Sequence, residues 1–291
     1  MPSRVSRPSE RSMASMTIVA VASHPVRKAQ RPGLVLATVV LLAAPHAVGA
    51  DEARSLLPGI DGADERVMLD TTARPWRAIG RVNRRVGGFC TGTLVGPRHV
   101  LTAAHCLWNA RTRRWLPAES LHFVGGYRRG EYLAHAKVAR FDLAPGAEVG
   151  PQDPRYHPRH DWAVLTLETE LAGALGAMPV RDMAPAGESA EQTTPSLMQV
   201  GYSQDKAHIL TAHRGCRLLG WTADRTLVTH DCDATLGDSG SPILAVEGGM
   251  YRLVAMHVAV RTRGGRTLGV AIPAASFLSA LPEAAPGAGG D

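Results

Sequence analysis

The stretch His230–Leu244, HDCDATLGDSGSPIL, decides how the rest of the chain is read. Its Gly-Asp-Ser-Gly-Ser-Pro core lies between two apolar, strand-like runs, so small residues crowd a place where the backbone turns tightly. One of them, Ser239, carries a hydroxyl. That group is a poor nucleophile until a base takes its proton and donors hold the resulting oxyanion. The chain must therefore supply a base, an acid that orients it, and a compartment where such chemistry makes sense.

On either side of this turn the chain is built from short segments rich in Val, Leu and Thr. Upstream these are RAIGRV, GTLVG, HVLTAAHC, LHFVGGY, AHAKVARFDL and WAVLTLE. LMQVGY, HILTAHRGC, TLVTHDC, SPILAVEG, YRLVAMHVAV and LGVAIP form the second group. Gly, Pro and Asp punctuate them, a pattern that predicts an all-β sandwich or barrel. A Pro-, Ala- and Glu-rich linker at 183–195 divides two β units, 75–182 and 196–282. Within the second, AASFLSAL (Ala274–Leu281) has helical spacing and predicts a short closing helix. Residues 283–291 read as a disordered tail.

The chain has 291 residues and a formal charge of +6. Residues 1–50 hold six of the basic residues and one acid, leaving 26 basic against 25 acidic from Asp51 onward. So balanced a remainder gives no footprint for nucleic acid or anionic lipid. RKAQRPG followed by the apolar LVLATVVLLAA (Leu34–Ala44) and AVGA (Ala47–Ala50) has the layout of a secretory signal peptide. The run is too short to span a bilayer. Met13 and Met16 are alternative starts, and export follows from each. Residues 51–74 are polar and irregular, a short propeptide or N-terminal arm. The expected location is secreted or periplasmic.

Cys90, Cys106, Cys216 and Cys232 remain after the leader. An even count in an exported chain suggests two disulfides, and sequence alone allows three pairings. Nearest-neighbour pairing closes two loops of about 17 residues, each contributing about 3 kcal/mol in the chain-entropy model. The competing zinc reading lacks CxxC and HExxH spacings.

His105, in LTAAHC, follows small residues and precedes Cys106, so a disulfide would anchor the backbone beside the imidazole. HDWAVLTLE supplies Asp161 leading into an apolar run, where a buried carboxylate would fix the tautomer of that imidazole. Asp142 and Asp153 are rival acids in loop-like sequence, and His135, His160, His213 and His230 read as surface or structural.

TAAHC, DWAVLTL and GDSGSP, in this order, resemble the trypsin/chymotrypsin-like serine endopeptidases. The resemblance covers residues 76–281, and PWRAIGRV, GYSQDKAHILTAHRGC, MHVA and GVAIP are similar to the exported bacterial branch that includes glutamyl endopeptidases. It implies two six-stranded antiparallel β barrels with the active site in the cleft between them. It also implies Ser239 as nucleophile, His105 as general base then acid, Asp161 as orienter, and the N–H groups of Gly237 and Ser239 as oxyanion hole. No metal or cofactor is implied, and the expected partner of a monomeric enzyme is a protein or peptide substrate. Asp238 resembles the aspartate that pairs with a new N-terminus after activation cleavage, yet no IVGG-type start occurs, which leaves its partner open. RSLLPGIDGADERV resembles a mature glutamyl-endopeptidase start, with cleavage after Arg54.

Specificity divides three ways. Asp233 lies six residues before Ser239, where trypsins carry the carboxylate that selects Arg or Lys. His257 matches a histidine by which glutamyl endopeptidases read an acidic side chain. Val260 stands where many relatives have Gly and would narrow the pocket mouth toward small side chains. The alternative from another class is a non-catalytic secreted binding protein that keeps the fold.

Overall fold

The computed structural model describes residues 57–183, 196–222, 224–263 and 266–282. The expected leader, the cleavage point after Arg54, most of the 183–195 linker and the 283–291 tail lie outside the described residues.

Sixteen strands are described: β1 (Val67–Met68), β2 (Ile79–Arg84), β3 (Phe89–Leu94), β4 (His99–Thr102), β5 (Trp108–Asn109), β6 (Arg114–Trp115), β7 (Leu121–Gly125) and β8 (Ala134–Leu143). β9 (Ala163–Leu167), β10 (Ser196–Gly201), β11 (Thr211–Cys216), β12 (Leu218–Trp221), β13 (Val228–His230), β14 (Pro242–Glu247), β15 (Met250–Arg263) and β16 (Arg266–Pro273) follow. The first unit is a closed six-stranded barrel in the order β2-β3-β4-β9-β8-β7. Strand β9 is buried along its whole length, whereas β8 alternates between buried and accessible positions. That difference follows the sequence: AVLTL lies inside the layers, and AHAKVARFDL turns polar residues outward. Val82, Leu94, Val100, Phe123, Val138 and Leu165 fill the barrel. Burying one such side chain contributes about 1.5–3 kcal/mol.

The second unit is an eight-stranded sheet, β1-β11-β10-β14-β15-β16-β13-β12. It holds two strands more than the expected six, and one of them is β1, which comes from the segment read as propeptide or arm and adds to the edge at β11. The short closing helix takes the form of two 3-10 turns, Ala274–Ser276 and Leu278–Ala280. A shared apolar cluster that includes Trp76, Phe89, Trp162, Tyr202, Met256 and Phe277 joins the two units. Cys90 is bonded to Cys106 and Cys216 to Cys232. Among the described residues no helix is long and apolar enough to cross a membrane.

Candidate active site

Strand pairing brings His105 and Asp161 together. β4 and β9 are antiparallel neighbours with Thr102 opposite Ala163, so the residues after β4 and before β9 emerge at one barrel end. Past β4, the 3-10 turn Ala104–Leu107 carries His105; before β9, the turn Pro158–His160 delivers Asp161. His105 Nδ1 lies 2.7 Å from Asp161 Oδ2. Asp161 Oδ1 accepts the His105 backbone N–H at 2.8 Å and the Tyr156 hydroxyl at 2.7 Å. Three donors therefore fix a carboxylate whose side chain is only 9% exposed. Burial tends to lower the His105 pKa, but the charge and hydrogen bond of Asp161 outweigh it and hold the pKa above its ordinary value, with Arg84 opposing.

Thr91 of β3 ties the serine turn to the barrel. Its N–H donates to Ser239 O at 3.0 Å, and its hydroxyl donates to Gly237 O at 3.1 Å. Thr91 follows Cys90, whose disulfide partner Cys106 adjoins His105; Cys106 Sγ is 4.0 Å from Ser239 O and 3.8 Å from His105 Nε2. Ser239, half-buried, is thus tied through its backbone carbonyl to the strand and the disulfide that adjoin His105, while among the described residues no hydrogen bond joins its Oγ to His105 Nε2. Neither the Gly237 nor the Ser239 N–H donates to another group among the described residues, which leaves two amides for an oxyanion. Gly237 has φ +98°, and a Cβ there would lie 2.7 Å from Tyr202 O. Only glycine suits that backbone.

The three specificity candidates are arranged differently from one another. Asp233 is buried, and its Oδ2 accepts the Glu65 N–H at 2.8 Å while its own N–H donates to His213 Nδ1 at 2.8 Å. Its carboxylate is thereby engaged with the N-terminal arm. His257 is 2% exposed, and its backbone pairs with Gly240 and Ser241, directly after Ser239. His257 Nδ1 lies 3.1 Å from His230 Nε2. Because His230 Nδ1 accepts the Cys232 N–H at 3.2 Å, its proton resides on Nε2 and is donated to His257. His257 then carries its own proton on Nε2, which has no partner among the described residues. Burial pushes His230 down to about 3 and His257 well below its ordinary value, so both rings are neutral donors. Val260 is partly exposed and touches the space above Gly59, where a Cβ would approach its Cγ1 to 2.7 Å.

Strand β14 pairs with β15 only as far as Met256, and His257 meets Gly240 and Ser241, so among the described residues the Val258–Val260 backbone has no partner strand on that edge. An extended peptide can add there as a strand. Asp142 and Asp153 are paired with Arg140 and Arg155 on the surface, away from the imidazole. The sequence reading did not single out Tyr156, and it treated His213 and His230 as surface or structural residues. Both histidines are buried, and His230 connects to the candidate pocket through His257. A signal for His230 was available in Gly269, which pairs with it across β13–β16 and where a Cβ would lie 2.0 Å from its ring.

A family model described as Trypsin matches residues 67–281. A glutamyl endopeptidase of Bacillus licheniformis is 39% identical over 123 residues, 41% of this chain and 36% of that protein. The match thus spans about a third of that relative's length. A solved structure of a Glu endopeptidase in complex with MPD has a TM-score of 0.60 at 22% identity, covering 75% of this chain and 96% of that one. Protease Anisep from Arthrobacter nicotinovorans gives a TM-score of 0.54 at 17% identity, covering 74% and 98%. The thermostable serine protease AL20, from an extremophilic microorganism, gives 0.55 at 17% identity, covering 70% and 94%. At these identities the structural likeness establishes the fold.

Proposed function

The chain belongs to the trypsin family, and from that premise we propose that it is an exported serine endopeptidase that cleaves through an acyl-enzyme on Ser239, after acidic side chains. The observation that carries the catalytic reading is the line Tyr156–Asp161–His105 beside a serine flanked by two unengaged amides.

In this mechanism His105 Nε2 takes the Ser239 proton as Oγ attacks the substrate carbonyl. The N–H groups of Gly237 and Ser239 receive the negative charge on the carbonyl oxygen. His105, now a cation facing Asp161, gives the proton to the leaving amine as the C–N bond breaks. Water then repeats the sequence on the acyl ester, and free Ser239 returns. The open Val258–Val260 edge supports alignment of the substrate backbone.

Acidic preference is supported by two contacts. The carboxylate of Asp233 is taken up by the arm, which removes the feature that would favour Arg or Lys. His257, with its Nε2 proton free, is a donor suited to a substrate carboxylate. The name of the Bacillus licheniformis relative points the same way. Export is supported by the basic and apolar leader and by two disulfides, which persist in oxidising compartments.

The test is digestion of a mixed peptide library by the exported protein, with Ser239→Ala as control. Cuts after Glu or Asp, lost in the control, are the expected result. Cuts clustered after Arg and Lys would return the specificity to Asp233. No cuts by folded protein would favour the non-catalytic binding reading.

A further inference from the structure

Asp238 stands between the two residues whose amides are free, so whatever holds its side chain also holds Gly237 and Ser239. Its carboxylate is 2% exposed. Oδ2 accepts the Ser203 hydroxyl at 2.6 Å and the Thr235 N–H at 2.9 Å, and Oδ1 lies 3.5 Å from Ser241 Oγ. Ser203 is fully buried, and its oxygen also accepts Arg66 Nη1 at 2.7 Å. A hydroxyl has one proton and a guanidinium has only donors, so the direction is forced: Arg66 donates to Ser203, which donates to Asp238.

The guanidinium itself has little freedom. Asp64 holds it at 2.9 Å and 3.0 Å, Asp205 at 2.7 Å and 3.2 Å, and Lys206 pairs with Asp64 from the far side. Two bidentate pairs fix the plane of a side chain that is 2% exposed. Burying such a cluster contributes little net stability, whereas it fixes geometry closely.

The rest of the arm makes further ties to the same loop. Glu65 N–H donates to Asp233, and Gly59 O accepts the Ala234 N–H at 3.1 Å. Gly59 has φ +91°, and a Cβ there would fall 1.6 Å from Ala234 O, so the arm packs on the loop backbone with no room for a side chain. β1 then continues onto β11 and secures the arm from its other end.

We propose that the arm 59–68 is a built-in organiser of the oxyanion loop, with Arg66 as a positioning residue that acts through Ser203 on Asp238. This rests on the serine endopeptidase reading. Arg66 touches neither substrate nor reacting atoms; it sets where the Gly237 and Ser239 amides point.

The test compares Ser203→Ala, Ser203→Thr, Arg66→Met and Arg66→Lys in the full chain. The measurements are kcat and KM on a peptide cleaved by wild type, the melting temperature, and amide hydrogen exchange over 233–241. Ser203→Ala and Arg66→Met are expected to lower kcat about 10- to 100-fold, because a misplaced oxyanion donor costs rate while KM stays within about threefold. Ser203→Thr keeps the hydroxyl and restores most of the rate, and Arg66→Lys restores part of it. Exchange at the Thr235 and Asp238 amides, which donate to Asp238 Oδ2 and Thr235 O, accelerates in the two crippled variants. If Arg66→Met does not fold, Ser203→Ala decides alone, since it removes one oxygen and leaves both carboxylate partners of Arg66. Wild-type kcat and unchanged exchange in Ser203→Ala would overturn the proposal. An inactive wild type would instead overturn the protease reading, and exchange would still decide the anchor: faster in Ser203→Ala supports it, unchanged refutes it.

Discussion

His230 Nε2 donates to His257 Nδ1 across 3.1 Å, and the Cys232 N–H on the other side of His230 sets the direction of that bond. The pair therefore presents His257 in one tautomer. His230→Leu removes this bias and lets His257 populate both. The expected outcome is a fall of about tenfold in kcat/KM for peptides with Glu before the scissile bond relative to Gln, following the loss of a directed donor. Equal losses for both substrates would separate His230 from specificity.

In the proposed mechanism activity needs His105 neutral, so it is expected to be lost as pH falls through the raised pKa of this residue. Asp161→Asn removes the charge that raises it and leaves the imidazole without its orienting carboxylate. We expect kcat to drop about 10³- to 10⁴-fold and the acid limb of kcat/KM to move to lower pH. Arg84→Ala should do the reverse on pH alone, shifting the limb upward, because Arg84 opposes protonation of His105. A pH–rate series on the three proteins checks both directions.

The buried Asp238 carboxyl is pushed up to about 6 by burial, against the opposing bonds from Ser203 and Thr235 and the charge of Arg66. The folded state thus holds this proton more tightly than the unfolded chain, where the ordinary value is 3.8. The stability it contributes is full below the unfolded value and is lost as pH rises through the folded one. Asp238→Asn does not titrate and keeps an oxygen for both donors. Between pH 4 and 7 wild type should lose about 2 kcal/mol relative to this variant in urea unfolding. A gap constant with pH would contradict the shift.

The two disulfides should separate in function. Replacing Cys90 and Cys106 by Ala is expected to cost about 3 kcal/mol of stability and also about tenfold in kcat, because the bridge adjoins His105 and Ser239. Replacing Cys216 and Cys232 should cost similar stability with a smaller effect on kcat. Melting curves and kinetics on the two double variants test the contrast.

Local sequence carried the candidate reaction centre. A tight turn with Gly237 at positive φ, an imidazole beside a cysteine and a carboxylate at a strand start are each written in fewer than twenty consecutive residues. Two strand ends paired in register then bring His105 and Asp161 together. Such features are legible because turn chemistry and strand alternation are short-range.

The chain's own sequence therefore determined the β framework, the cysteine loops and the identity of the candidate nucleophile, base and orienting acid. The tertiary structure alone decided what Asp233, Asp238 and His257 face. Glu65 meets Asp233 across 168 positions, Arg66 meets Ser203 across 137, and His230 meets His257 across 27. A charge in the sequence has no partner until packing supplies one. Here the arm supplies Asp233 with the Glu65 N–H, because hydrogen-bond satisfaction of a buried carboxylate depends on which backbone reaches it through space.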